Sequence, residues 1–334
     1  MRKLILLVAA IVTLSACGNK YQFIDGQTQG TSYHLIMDKA PADIQTKIDS
    51  VLNYIDGTMS IFNPESTISR YNRGENVTID GNFEVCVAYA RTASIFSKGA
   101  YDITAAPLVN LWGFGPDGRP EIEPTQEQID SVMQFVGYRS IRTMYSRLFR
   151  EDNRTQIDLS SVAKGMTVDV MCQMLDKEGV ENYLVEIGGE VRCKGISSTN
   201  RLWRVGIDNP DYGVKNGAPQ TIATLAIPSE VSVATSGNYR NYYTTESGQR
   251  VAHTINALTG RPSQSPILSA TVVAPSCARA DAFATMLMVA GDPSNLQSFE
   301  HRLIQMCDFL VVYSDENGNS QVYKTKGMSN FIQE

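Results

Sequence analysis

Between Ile157 and Gly179 the chain changes its hydrophobic period, and this stretch constrains the fold more than any other. Ile157 and Leu159 read as the end of a buried strand. Val162, Met166, Val170 and Met174 then recur at helical spacing until Gly179 stops the helix. The polar residues of Asp158-Leu-Ser-Ser-Val-Ala-Lys-Gly165 are therefore predicted at a strand-to-helix junction, with Gly165 opening the helix by letting the backbone turn. At such a junction the unpaired N–H groups of the first turn and the positive end of the helix dipole face outward. Two uses fit it equally: a capped helix start, or a seat for a phosphate or a charged cofactor.

The rest of the chain alternates helices and strands without a repeat or a low-complexity tract. Tyr33 to Met37 reads as a strand, and Ile44, Ile48, Val51, Leu52 and Ile55 mark an amphipathic helix with Pro41 and Asp43 near its start. Phe83, Val87, Ala90, Ser94 and Ile95 trace a second helix that Gly99 ends. Thr125 and Gln128 form a capping-box pattern ahead of a third, running through Ile129, Val132, Met133 and Val136. From Tyr183 strands dominate: 183–187, 190–195, 203–207, 221–227 and 230–234, with Gly188-Gly189 as a two-residue hairpin turn. Strand 270–274 leads to a helix from about Arg279 to Ala290, and 309–313 pairs with 321–323 across Asp315-Glu-Asn-Gly. The pattern predicts an α+β fold with helices packed on mixed sheets.

The first residues predict export. Arg2 and Lys3 precede an apolar run from Leu4 to Leu14, and Leu14-Ser15-Ala16-Cys17 follows directly, as in a lipoprotein signal. That run is too short to span a bilayer core of roughly 30 Å as a helix. The expected organisation is a signal peptide over 1–16, a lipidated tether over 17–26, and one domain over 27–334, either single or of two closely packed lobes. Lipid on the sulfur and amino group of Cys17 would hold the mature chain on the periplasmic side of the inner membrane. Cleavage removes Arg2 and Lys3 and takes the formal charge from −6 to −8, so nucleic acid is excluded as a partner. Five cysteines remain, with no Cys-x-x-Cys pair; Cys86 and Cys172 fall on helical apolar positions and read as buried structural thiols.

Three further groups of residues could carry chemistry. Asp281 and Thr285 stand four apart on a predicted helix and share a face; they suit either a solvated face or one hard cation in an oxygen-only shell, which points to magnesium rather than zinc. Ala280, Ala282 and Ala284 leave room for close approach beside them. His253 follows a predicted hairpin and fits either a hydrogen-bonded structural role or a proton relay near neutral pH. Tyr101-Asp-Ile-Thr-Ala-Ala-Pro-Leu-Val-Asn-Leu-Trp-Gly-Phe-Gly115 reads as a wall for a flat ring or as a buried loop held by Pro107 and Trp112.

Taken together, these segments resemble the ApbE family of FAD:protein FMN transferases. The motifs that carry the resemblance are Met59-Ser-Ile-Phe-Asn-Pro-Glu-Ser, Tyr101-Asp-Ile-Thr with Pro107-Leu-Val-Asn-Leu-Trp-Gly-Phe-Gly, Asp158 to Gly165 and Ile187-Gly-Gly. They continue with Thr235-Ser-Gly and Tyr239-Arg-Asn-Tyr-Tyr, His253-x-Ile with Thr259-Gly-Arg-Pro, and Ala280-Asp-Ala with Thr285. The resemblance runs from about Gln27 to Tyr323. It implies an exported, membrane-attached enzyme that takes FMN from FAD, ester-links its phosphate to a threonine or serine of a target protein, and releases AMP.

The resemblance also implies roles. Asp281 and Thr285 would hold Mg2+, helped by the Ala163 carbonyl or the Ser161 hydroxyl. Gln29, Phe62, Ala100, Tyr101, Asp102, Asp158, Lys164 and Ile255 would contact FAD, and His253 would be the catalytic base. The acceptor would be a flavin-carrying subunit of a membrane redox complex or a related electron carrier. The chain departs from the family pattern twice: Gln29 stands where methionine is usual, and Asn256-Ala257 where Asp-Pro is usual. If that carboxylate orients or charges the histidine, Asn256 can hydrogen-bond in its place but supplies no charge. An FAD pyrophosphatase and a non-catalytic FAD-binding lipoprotein are the competing expectations.

Overall fold

A computed structural model describes residues 21–120, 122–210, 221–229, 231–237, 242–244 and 250–333. The signal peptide and Cys17 lie outside the described residues, as do Glu230 and residues 239–241 of the Tyr239 motif.

The framework is an eight-stranded sheet in the order β1-β2-β5-β6-β9-β14-β15-β16. Its strands are β1 (Gln22–Thr28), β2 (Thr31–Met37), β5 (Tyr183–Ile187), β6 (Glu190–Lys194), β9 (Ser232–Gly237), β14 (Ile267–Ala274), β15 (Asp308–Ser314) and β16 (Ser320–Lys324). Every neighbouring pair in it is antiparallel, so the expected mixed sheets are corrected to antiparallel ones while the α+β class holds. The ordered sheet also begins earlier than expected: Gln22 to Gly26, read from sequence as tether, pair with Met37 to Tyr33.

Side-chain alternation divides the sheet into two faces. Ala234, Val272, Phe309 and Val311 pack toward the helices, whereas Val233, Val273, Leu310 and Val312 pack against the opposite layer. That layer is a small sheet of β7 (Trp203–Asp208), β8 (Thr221–Ile227) and β17 (Ile332–Gln333), whose Trp203, Ile207, Leu225 and Ile227 complete the second core.

The helices among the described residues, in chain order, are α1 (Ile44–Met59), α2 (Thr67–Asn72), α3 (Gly81–Phe96), α4 (Ala106–Leu111), α5 (Gln126–Met133), α6 (Ser160–Lys177), α7 (Cys277–Ala290) and α8 (Leu296–Leu303). The Thr125–Gln128 capping box is present at the start of α5, both of its hydrogen bonds made. Gly188 and Gly189 adopt φ of 60° and 104° and join Ile187 to its partner Glu190, as the hairpin reading requires. Helix α7 starts at Cys277 rather than Arg279, because Ser276 caps it by accepting the Arg279 amide.

Two expectations around the central junction are corrected. Ile157 and Leu159 are fully buried but not in a strand: the Ile157 amide donates to Asn72 Oδ1, the Asn72 amide group donates back to the Ile157 carbonyl, and the Asp158 amide donates to the Ile103 carbonyl. Side chains and an isolated backbone group thus satisfy what a neighbouring strand otherwise would. Gly165 does not open the helix either. It lies inside α6, and a Cβ there would sit 2.4 Å from the Cys277 carbonyl oxygen, so its smallness sets the approach of α6 to α7. Four alanines of α7, Ala278, Ala280, Ala282 and Ala284, are completely buried, as a helix apolar on all sides should be.

Asp169 locks the same pair of helices. Its carboxylate accepts the Cys277 and Ala278 amides, both at 3.0 Å, and a charged bond from Arg192 at 2.8 Å. A side chain of α6 therefore caps α7. The middle of Tyr101 to Gly115 is helical rather than loop: a single 3-10 turn at Ile103–Ala105 runs into α4, with Pro107 in the first turn and the Trp112 indole donating to the Gly260 carbonyl.

Candidate active site

The site lies where the N-terminal half of α6 meets α7. Gly165 donates its amide to Asp281 Oδ2 at 3.0 Å, and the Lys164 ammonium stands 3.6 Å from Asp281 Oδ1 and 3.4 Å from Glu190 Oε1. Asp281 is fully buried, yet its Oδ1 has no hydrogen-bond partner. A buried carboxylate oxygen without a donor is costly unless a cation faces it. One turn along α7, Thr285 Oγ1 lies 3.2 Å from the Ser236 hydroxyl.

Within α6 the Ala163 carbonyl accepts the Thr167 hydroxyl at 2.7 Å, and Gln29 donates its side-chain amide to that hydroxyl at 2.7 Å. Gln29 adopts a φ of 48° in the turn between β1 and β2. Ser161 shares a 2.7 Å hydrogen bond with the Tyr101 hydroxyl. Gln29 is thus linked to Ala163 through Thr167, and the next residue, Lys164, faces both Asp281 and Glu190.

Other predicted site residues act mainly within the protein. Asp158 Oδ1 accepts both the amide and the hydroxyl of Ser160 in a local turn just ahead of α6, whose N-cap residue, Leu159, makes no side-chain capping bond. Asp102 Oδ1 accepts the Thr104 amide and hydroxyl, and its Oδ2 accepts the Tyr138 amide. Asp102 therefore shapes the backbone around Ala100 and Tyr101. Burial raises its carboxyl above the ordinary range, and those hydrogen bonds pull it back only in part. The Ala100 carbonyl accepts the Ala257 amide at 2.9 Å, while the Ile255 side chain packs into an apolar cluster with Leu108 and Trp112. Phe62 stands apart on the surface, 63% exposed.

His253 follows the antiparallel pair of β10 (Tyr242–Thr244) and β11 (Arg250–Ala252), the hairpin expected from sequence. Its ring meets Phe114 edge-on at 6.3 Å. The next hairpin, β12 (Ile255–Asn256) with β13 (Arg261–Pro262), is tied to α7 because Ser263 bonds the Val289 carbonyl through its hydroxyl and the Thr254 carbonyl through its amide. One helix therefore carries Asp281 and Thr285 and anchors the histidine segment. Asn256 Oδ1 accepts the Leu258 amide at 2.9 Å, an Asx turn that asparagine and aspartate serve alike.

Glu190, Ser236, Thr167 and Asp169 belong to this centre and were not singled out from sequence. Ser236 was within reach, inside the Thr235-Ser-Gly motif. Glu190 directly follows a two-glycine turn, where a charged residue reads as an exposed hairpin end.

Solved structures define the class of the fold. The chain superposes on the flavin transferase ApbE from Vibrio cholerae with a TM-score of 0.83 at 31% identity, covering 93% of this chain and 99% of that one. It also superposes on the flavinyl transferase ApbE of Pseudomonas stutzeri, apo form, with a TM-score of 0.82 at 29% identity, covering 96% and 99%. In sequence it is 33% identical to the FAD:protein FMN transferase of Vibrio cholerae over 326 residues, 95% of each chain, and 33% identical to that of Haemophilus influenzae over 350 residues, 99% and 98%. The ApbE family pattern matches residues 29–307. The chain belongs to the ApbE family.

Proposed function

We propose that this chain transfers FMN from FAD to a threonine or serine hydroxyl of an acceptor protein, with magnesium, releasing AMP. The observation that carries the reading is the orphaned Asp281 Oδ1, buried beside the Lys164 ammonium, in a chain whose relatives are named for flavin transfer.

The donor set suits a hard cation. Asp281, the Thr285 hydroxyl, the Ala163 carbonyl and the Ser161 hydroxyl are all oxygens, and among the described residues no cluster of three His, Cys, Asp or Glu residues offers a softer site. A short list of protein oxygens fits magnesium, which keeps waters and substrate phosphates in its shell. When bound, it would neutralise charge building on the phosphoryl oxygens and the leaving AMP.

The chain's own residues supply the rest. Lys164 brings a positive charge to the pyrophosphate, and Tyr101, fixed through Ser161, closes one side. The acceptor oxygen bonds to the FMN-side phosphorus, the bond from that phosphorus to the oxygen bridging to AMP breaks, and His253 takes the hydroxyl proton. Position and electrostatics carry most of the acceleration, as in other phosphoryl transfers.

The location is part of the same proposal: export and lipidation at Cys17, with the domain held at the periplasmic face of the inner membrane near a flavin-carrying redox subunit. It is supported by Arg2, Lys3 and the apolar run ahead of Cys17. Among the described residues no helix is long and apolar enough to cross a membrane.

The test incubates residues 18–334 with FAD, magnesium and an acceptor domain, and measures AMP and covalent flavin fluorescence on a denaturing gel. AMP with labelled acceptor supports transfer. AMP without label would make the chain a pyrophosphatase, and bound FAD with neither product would make it a binding protein.

A further inference from the structure

Glu190 has no part in the reaction as described, yet it is one of the most buried charged side chains of the site, 1% exposed, with Oε2 lacking a hydrogen-bond partner. It opens β6 directly after the Gly188-Gly189 turn, and the pleat of that strand aims it, like Arg192, at α6. There the Lys164 ammonium lies between Glu190 Oε1 at 3.4 Å and Asp281 Oδ1 at 3.6 Å. Both distances are long for a charge-assisted hydrogen bond, so the ammonium is shared rather than committed to either oxygen. Two buried carboxylates facing one ammonium leave an excess negative charge, which a low-dielectric interior resists. Burial pushes the Glu190 carboxyl well above its ordinary range, with Lys164 opposing and the Asp281 charge adding to the push.

We propose that Lys164 is a placeholder for the metal ion's charge at Asp281, and that Glu190 is the positioning residue that receives Lys164 when magnesium takes Asp281. The flexible lysine stem allows the small shift this needs, and the Glu190 carboxylate keeps the ammonium beside the pyrophosphate instead of releasing it to solvent. The inference rests on the reading of Asp281 as the cation ligand.

The test is a magnesium titration of the FAD-free chain, followed by the rise in Tm and run with ADP as a non-reacting pyrophosphate. Lys164→Met removes the competitor and lowers the magnesium midpoint about tenfold; Glu190→Gln leaves Lys164 only Asp281 to hold and raises the midpoint about tenfold, the scale a unit charge at this range sets. The double variant decides the mechanism. If Glu190 acts through Lys164, Glu190→Gln in the Lys164→Met background leaves the midpoint near that of Lys164→Met alone. Equal weakening in both backgrounds would mean that Glu190 merely attracts the ion directly, and would overturn the proposal. So would an unchanged midpoint in Lys164→Met, read only on a variant whose cooperative thermal unfolding shows that it folds without the ammonium between Glu190 and Asp281. Asp281→Ala separates the underlying reading: a chain that keeps the wild-type magnesium response without Asp281 does not bind the ion there, and both claims then fall.

Discussion

Gly165 donates its backbone amide to Asp281 Oδ2 at 3.0 Å, which turns that oxygen toward α6 and leaves Oδ1 facing Lys164. The bond is possible because α6 and α7 almost touch there: the Cys277 carbonyl stands where a Cβ on residue 165 would go. Helix packing and the aim of the carboxylate are one constraint.

Gly165→Ala should therefore affect both. The α7 backbone cannot yield as a side chain would, so overpacking should cost about 1–3 kcal/mol. Thermal unfolding should show a lower Tm, and the magnesium needed for half-maximal rate should rise. A variant with wild-type Tm would show that α6 and α7 are not held this closely.

Asn256 stands where the resemblance implies an acidic residue, and its side-chain oxygen accepts the Leu258 amide in a turn. Asn256→Asp should leave kcat within about twofold, because both side chains accept the Leu258 amide. Asn256→Ala should lower stability by about 1 kcal/mol. A large rise in kcat, or a shifted pH profile, in Asn256→Asp would instead mean that a charge at this position governs His253.

His253→Ala should slow transfer by about a hundredfold or more, the usual share of a positioned base. Magnesium-dependent stabilisation should persist, since His253 is not among the oxygens proposed for the ion. Stopped-time assays of acceptor labelling check the first expectation and Tm titrations the second; undiminished labelling would remove the base assignment.

The five described cysteines are buried and unpaired. Burial pushes the Cys193 and Cys307 thiols up to about 12 and raises Cys86, Cys172 and Cys277 well above the ordinary range. In the unfolded chain these thiols ionise near pH 8.5 or so, while the folded chain keeps their protons. The unfolded state then binds fewer protons, so stability should fall as pH rises above about 8.5. Urea midpoints between neutral and alkaline pH test the slope. A thiol reagent should label these cysteines only on unfolding, and rapid labelling of the native chain would contradict their burial.

The sequence made local features legible. The Thr125–Gln128 box and the Gly188-Gly189 turn depend on neighbours a few residues away, and periodicity located α1, α3 and most of α6. What it hid are contacts between distant segments. Ile157 and Leu159 are as apolar as strand residues, but their segment pairs with the Asn72 side chain, which no pattern encodes. Gly165 looked like a turn residue because its partner, Cys277, is more than a hundred positions away. Asp169 and Glu190 were missed for the same reason, since their meaning comes from α7 and Lys164. Asp281 and Thr285 stood out through their four-residue spacing on a helix and His253 through its place after a hairpin, and the family motifs added their roles.

The central claim is that FAD is cleaved by a protein hydroxyl at a magnesium site built on Asp281. Intact-mass measurement of an acceptor domain incubated with FAD, magnesium and the chain tests it most directly, with AMP quantified in the same samples. The account requires a mass gain of FMN less one water on a single threonine or serine, matched mole for mole by AMP, and neither product with Asp281→Ala. FAD consumption without any gain in acceptor mass, or equal modification by Asp281→Ala, would contradict it.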